Sequence, residues 1–142
     1  MDIRARILAR PDLADLRAAR DLDKLAAALN AEGLMAPQQR FITARAVMAE
    51  CPGGVGILVA LEGAKAHPAV GQAVTWALTF LGQSAGLDIG DTYTQGMVDT
   101  LATLGVLTKL QAEALKSMAL QPVTVHRLEV EAAMYNPDGT EK

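Results

Sequence analysis

The stretch CPGGVGILVALEGAKAHPAVGQAVTWALTFLG, residues 51–82, constrains the fold more than any other part of the chain. It is the most apolar region, holds the only Cys and the only Trp, and carries just two charged residues, Glu62 and Lys65. Gly, Glu, Lys and His break its apolar runs well before the roughly twenty residues that a spanning helix needs. The expectation is therefore two successive buried helices, over about 54–64 and 68–81, joined at an exposed corner at His67, with no membrane insertion. In the second helix Val70, Val74, Leu78 and Leu81 fall four, four and three apart, with Ala73, Trp76 and Ala77 beside them. An apolar face that wide predicts burial on more than one side. Gly56 sits where a neighbouring helix is expected to come close.

The remainder of the chain reads as helix too. Its 142 residues are 51% hydrophobic, 20% charged and only 4% aromatic. Such a composition favours packed helices in one globular domain over a sheet or a disordered chain. In DLDKLAAALNAEG, Leu22, Leu25, Ala26 and Leu29 recur at helical spacing after an Asp21 cap. Ile3, Ile7 and Leu8 suggest a helix ahead of Pro11, and Asp12 a capped short one after it. A further helix is expected over about 38–50. Asp91 is positioned to cap a helix with Tyr93, Met97, Leu101 and Leu104 on one face. Gly105 would end that helix. Thr108 and Gln111 form a capping-box pair at the start of the next, whose face is Leu110, Ala114, Leu115 and Met118. These two make an αα-hairpin with a four-residue joint. A last helix within 125–134, capped by Thr124, leads to a turn and a loose polar end; strand remains an alternative at the front of residues 123–130. The expected architecture is an all-α, compact single-domain bundle of seven or eight short helices over residues 1–135, with a polar tail at 136–142.

Charge argues against a general nucleic-acid binder. The net charge is -3, with +1 on residues 1–50 and -4 on residues 51–142. Arg4, Arg6, Arg10, Arg17 and Arg20 form the one basic cluster, largely offset by Asp2, Asp12, Asp15 and Asp21. A single Cys excludes an internal disulfide and fits a reducing compartment. The first residues, MDIRARILARPD, lack the apolar core of a secretory signal, so the chain is not expected to be secreted by one.

No motif carries chemistry. Cys51 precedes a Gly-rich turn, but a nucleophile also needs a base, and His67 and His126 are distant in sequence. Gly53-Gly54-Val55-Gly56 matches neither phosphate-binding glycine pattern. Two histidines and one cysteine do not make a zinc ligand set. Asp88 and Asp91 bracket a helix start, and Glu129 and Glu131 are two apart and do not share a helix face. Neither catalytic residues nor a cofactor or metal are expected. What remains is docking through a helical face, with Arg4, Arg17, Phe41, Arg45 and Tyr135 as exposed candidates for contact with a protein partner or a second copy. The alternatives are nucleic-acid binding through the N-terminal arginines and a small enzyme built on Cys51 or a histidine.

The segments LDIGDTYTQGMVDTLATLGVLTKLQAEALKSMA and RLEVEAAMYNPDGTEK resemble small Ala/Leu-rich helical proteins of tailed bacteriophages. The resemblance covers about the last sixty residues and transfers no active-site residue. It implies a protein of the virion or of the infected host's cytoplasm, acting in assembly or host interaction by binding and not by catalysis.

Overall fold

The computed structural model describes residues 1–142. Nine helices hold 58% of the chain, and four short strands form two small sheets, so the fold is mostly helical but not strictly all-α. The strands are β1 (Met35–Pro37), β2 (Phe41–Ile42), β3 (Leu87–Asp88) and β4 (Leu120–Pro122). β1 neighbours β4, and β2 pairs antiparallel with β3 in the register Phe41↔Asp88 and Ile42↔Leu87. Local chemistry explains where helix gives way. Pro37 and Pro122 offer no N–H to a helix. Thr43 caps the next helix, its side chain accepting from the Ala46 N–H at 3.3 Å. The helix expected from residue 38 thus starts six residues later, leaving residues 38–40 without regular structure and Phe41–Ile42 in β2.

Contacts divide the chain into two compact units, one of Met1–Ala36 with Pro122–Lys142 and the other of Pro37–Gln121. The first unit contains α1 (Ile3–Leu8), a 3₁₀ turn at Pro11–Leu13, α2 (Ala14–Ala18), α3 (Leu22–Asn30) and α9 (Arg127–Met134). Ile7, Leu25, Leu29, Val130 and Met134 are fully buried in its core. The expected face of α3 is buried at all four positions, and Asp21 caps it through the Lys24 N–H. Asp12 does not cap α2; it turns back to Arg10 at 2.6 Å. The cap of α9 falls at His126, two residues beyond Thr124, where the Glu129 carboxylate accepts from the His126 N–H at 2.7 Å. Asn30 exchanges two hydrogen bonds with the Val125 backbone, at 2.9 and 2.7 Å, and so fastens the segment that leads into α9.

The polar end is not loose. Asn136-Pro137-Asp138-Gly139 turns the chain, with Gly139 at φ +86°, and the Asp138 carboxylate accepts from Thr140. The Lys142 N–H then donates to the Met134 carbonyl at 2.8 Å, and Glu141 bridges Tyr135. Hydrogen bonds between the last residues and the end of α9 hold the tail in place.

The second unit contains α4 (Ala44–Glu50), α5 (Gly54–Gly63), a 3₁₀ turn at Ala64–Ala66, α6 (Gly71–Leu81), α7 (Thr92–Thr103) and α8 (Lys109–Ser117). Val47, Ile57, Leu61, Val74, Leu101 and Leu115 carry its core. Residues 51–82 do form two core helices. The second begins at Gly71 and not Pro68, because His67 is extended and its carbonyl accepts from the Gly71 N–H. His67 itself is half-buried, its ring nitrogen accepting from the Ala69 N–H. The αα-hairpin is present with its Asp91 cap, Gly105 at φ +75° and a complete Thr108/Gln111 capping box. Its joint runs over five residues, 104–108.

The faces of the hairpin are rotated from expectation. Val98 and Leu101 face the core from α7 while Tyr93 and Leu104 are exposed; Ala112 and Leu115 face it from α8 while Leu110 is exposed. At 3.6 residues per turn, a one-residue error of phase turns a stripe by about 100°. No helix is long and apolar enough to cross a membrane.

Candidate interaction surface

α6 is apolar nearly all round, yet it is buried on one side only. Val74 and Leu81 point into the core. Trp76, two residues on from Val74, lies about 200° round the helix. It is 58% exposed, and Phe80, one turn later, is 41% exposed. The two rings stack with centroids 6.2 Å apart and planes 29° from parallel. Thr75 and Thr79 share this outer side and satisfy their hydroxyls on the carbonyls four residues back, at 2.8 and 2.9 Å.

Opposite this face, the first turn of α7 presents Tyr93, 72% exposed, with Met97 one turn below. Between them lies a groove of about 310 Å³ lined by Trp76, Phe80, Leu87, Tyr93 and Met97. A second groove, of about 300 Å³, shares Phe80, Leu87 and Thr94 with the first and continues to Phe41, Asp88 and Asp91. The β2–β3 register brings Phe41 there by setting it directly across from Asp88. Phe41 is 58% exposed. Four of the five aromatic residues of the chain therefore surround two adjoining grooves in the second unit, outside a core that contains no aromatic residue.

The contact residues expected from sequence fall in three places. Phe41 lines the second groove. Arg45 is exposed on α4, has no acidic partner within 4.0 Å and lines neither groove. Arg4, Arg17 and Tyr135 belong to the first unit, and all three are engaged with its own chain. Tyr135 is not an exposed residue: only 6% of it is accessible, its hydroxyl donates to the Arg17 carbonyl at 3.2 Å, and the Arg20 guanidinium lies 4.2 Å from its ring centroid. The extended backbone at Tyr135, which bridges Glu141, places its ring among the buried residues of that core. Arg17 pairs with Glu141 at 2.7 Å, and Arg4 donates to the Lys142 carbonyl.

The other candidates are placed as follows. Cys51 is buried with its sulfur 3.3 Å from that of Met118, and burial pushes its thiol up from its ordinary value. The Gly-rich turn packs backbone on backbone: a Cβ on Gly54 would lie 2.1 Å from the Val47 carbonyl oxygen, whereas Gly56 has only ordinary contact with the Gln111 side chain. The close approach expected at Gly56 thus occurs two residues earlier. Arg6 and Arg10 both bond Glu32, and the Arg10 guanidinium holds the Asp12 carboxyl below its ordinary range. No group of three or more His, Cys, Asp or Glu side chains comes together in a way that could hold a metal ion.

Sequence reasoning placed Trp76 beside a buried stripe and Tyr93 in one. The signal that separates Trp76 from the core is the alternation Thr75-Trp76 and Thr79-Phe80, which marks a face shared with hydroxyls. No protein-family model, curated protein or solved structure matches this chain.

Proposed function

We propose that this is a non-catalytic interaction protein that acts by docking a protein partner on the Trp76–Tyr93 groove. The observation that carries the reading is the gathering of Phe41, Trp76, Phe80 and Tyr93 around two adjoining grooves. Apolar side chains exposed singly are ordinary, but a contiguous aromatic patch is a feature of contact sites. Tyr and Trp are also enriched among the few residues that carry most of the binding energy at protein interfaces. Ion-pairing of Arg6, Arg10 and Arg17 within the chain favours a protein partner over nucleic acid, because those cations are already neutralised. Burial of Cys51 and its raised thiol weigh against a nucleophile. The resemblance to small helical phage proteins supports reading this action as one of virion assembly or of contact with a host protein.

The test is affinity capture from infected and uninfected bacterial cells with the wild-type chain and with Trp76→Ala/Tyr93→Ala. Both residues are exposed, so the variant should keep its helical signal and melt within about 1 kcal/mol of wild type. The expected result is a stoichiometric protein partner lost from the variant. Equal recovery with both baits, or salt-sensitive nucleic-acid binding in place of a protein partner, would sink the proposal.

A further inference from the structure

The charges around the aromatic groove narrow the chemistry of its partner. The second unit pairs most of its charged groups internally: Arg40 with Glu50, Lys65 with Glu62, Lys109 with Glu113 and Lys116 with Asp99. The cation left over, Arg45, lies outside both grooves. The carboxylates left over are Asp88 and Asp91, and both line the second groove beside Phe41 and Phe80. Backbone amides hold each of them in place. Asp88 Oδ1 accepts from the Arg40 and Gly90 N–H groups at 3.1 and 3.0 Å, and Asp91 Oδ2 accepts from the Thr94 N–H at 3.2 Å. These bonds occupy one oxygen of each carboxylate and leave the other for an incoming donor. No basic side chain lines either groove.

The surface therefore has an aromatic end and an acidic end, joined through Phe80, Leu87 and Thr94. Resting on the reading of this groove as a contact site, we infer that its occupant is a protein segment that sets a large apolar side chain between Trp76 and Tyr93 and a lysine or arginine against Asp88 and Asp91. Each groove is small for a ligand pocket, which suits one anchoring side chain at a time from a peptide laid across both. Complementary charge then fixes the direction in which that peptide lies. A second copy docked through the same surface would set these carboxylates against each other or against aromatic rings, unpaired in either case. Phosphate-bearing surfaces, whether nucleic acid or anionic lipid, would meet unpaired negative charge.

A random peptide library selected on the full chain tests this, with the fluorescence polarisation of labelled synthetic versions of the enriched sequences as the readout for wild type and variants alike. The expected peptides lose binding to Trp76→Ala and combine a large apolar residue with Lys or Arg. Their affinity falls about fivefold with each of Asp88→Asn and Asp91→Asn, the upper end for an exposed ion pair, and falls again with added salt. Asparagine keeps the capping acceptor, so these variants retain the start of α7. Peptides that need Trp76 but show no cationic bias, or an acidic one, overturn the inference and leave the contact proposal standing. If no enriched peptide depends on Trp76, both fall. Sedimentation that shows a dimer with Trp76 shielded also overturns the inference, since a second copy would then cover the groove.

Discussion

Two glycines two residues apart on α5 should respond to alanine with opposite signs. Gly54 is buried at the point where α5 meets α4. An added Cβ there would lie 2.1 Å from the Val47 carbonyl oxygen, 2.8 Å from its carbon and 2.9 Å from the Met48 Cα. All three atoms are backbone, so no rotamer change relieves the overlap. The Gly54 N–H is also bonded to the Cys51 carbonyl at 3.0 Å, which ties the turn down. Relief requires the two helices to separate, and Val47 and Ile57, both fully buried, would lose packing as they did so. Overpacking of this kind costs ~1–3 kcal/mol, and a rigid backbone contact belongs at the upper end, about 3 kcal/mol. Gly56 lies inside the helix on its exposed side, and its added Cβ would meet only the Gln111 Nε2 at 3.6 Å. Alanine there gains helix propensity, ~0.5–1 kcal/mol. At roughly 4 °C per kcal/mol for a chain of this size, Gly54→Ala should melt about 12 °C below wild type and Gly56→Ala about 2–4 °C above it. Thermal unfolding followed by circular dichroism reads both. A Gly54→Ala protein that melts with the wild type, or two shifts of the same sign, would refute the packing argument.

Other outcomes follow from single contacts. Thr108→Ala should lose about 1 kcal/mol in urea unfolding, because it removes the acceptor for the Gln111 N–H, while Thr108→Ser should be close to neutral. Cys51 should resist thiol reagents in the folded chain at mildly alkaline pH and react once the chain is unfolded; rapid stoichiometric labelling of the native protein would contradict its burial and raised thiol. The Asp21 carboxyl is held below its ordinary value of 3.8 first by the Lys24 backbone amide and then by the Lys24 side chain. A folded value below the unfolded one contributes stability above the unfolded value, and that stability is lost as pH falls through the folded one. The gap in urea midpoint between wild type and Asp21→Ala should therefore be constant near neutrality and close below about 3.8. A gap that widens in acid would reverse the sign of the argument.

Features decided within a few residues were legible in the sequence. Asp21, Asp91 and the Thr108/Gln111 pair cap the helices expected of them, because a cap needs only a side chain and an amide three positions on. Gly105 ends α7 for an equally local reason. Facing was less legible, since the Tyr93-Met97-Leu101 stripe and the true Val98-Leu101 stripe share a residue and differ by one step of rotation. The β2–β3 pair could not be read at all. Two-residue strands show no alternation, and their pairing across more than forty residues is set by tertiary contact. The groove was hidden for the same reason: Phe41, Asp88 and Tyr93 approach one another only after that pairing and the α7 cap are in place.

The placement of the aromatics is better explained by contact than by leftover space. Burying a phenylalanine-sized side chain is worth ~1.5–3 kcal/mol, so leaving four large rings exposed forgoes considerable stabilisation. Part of the reason is that this core is built for close approach. Gly54 and Gly71 admit helix and turn backbones to within a distance that an added Cβ would violate, and aliphatic side chains with Cys51 and Met118 fill the space that remains. A core drawn that tight has little room for an indole. That accounts for rings on the surface, but it does not by itself bring them together. It does not account for rings from β2, α6 and α7 meeting on grooves that share Phe80, nor for the unpaired Asp88 and Asp91 at one end. Convergence from three elements, with a polarity of charge along it, is the arrangement that the proposed docking of a partner would explain.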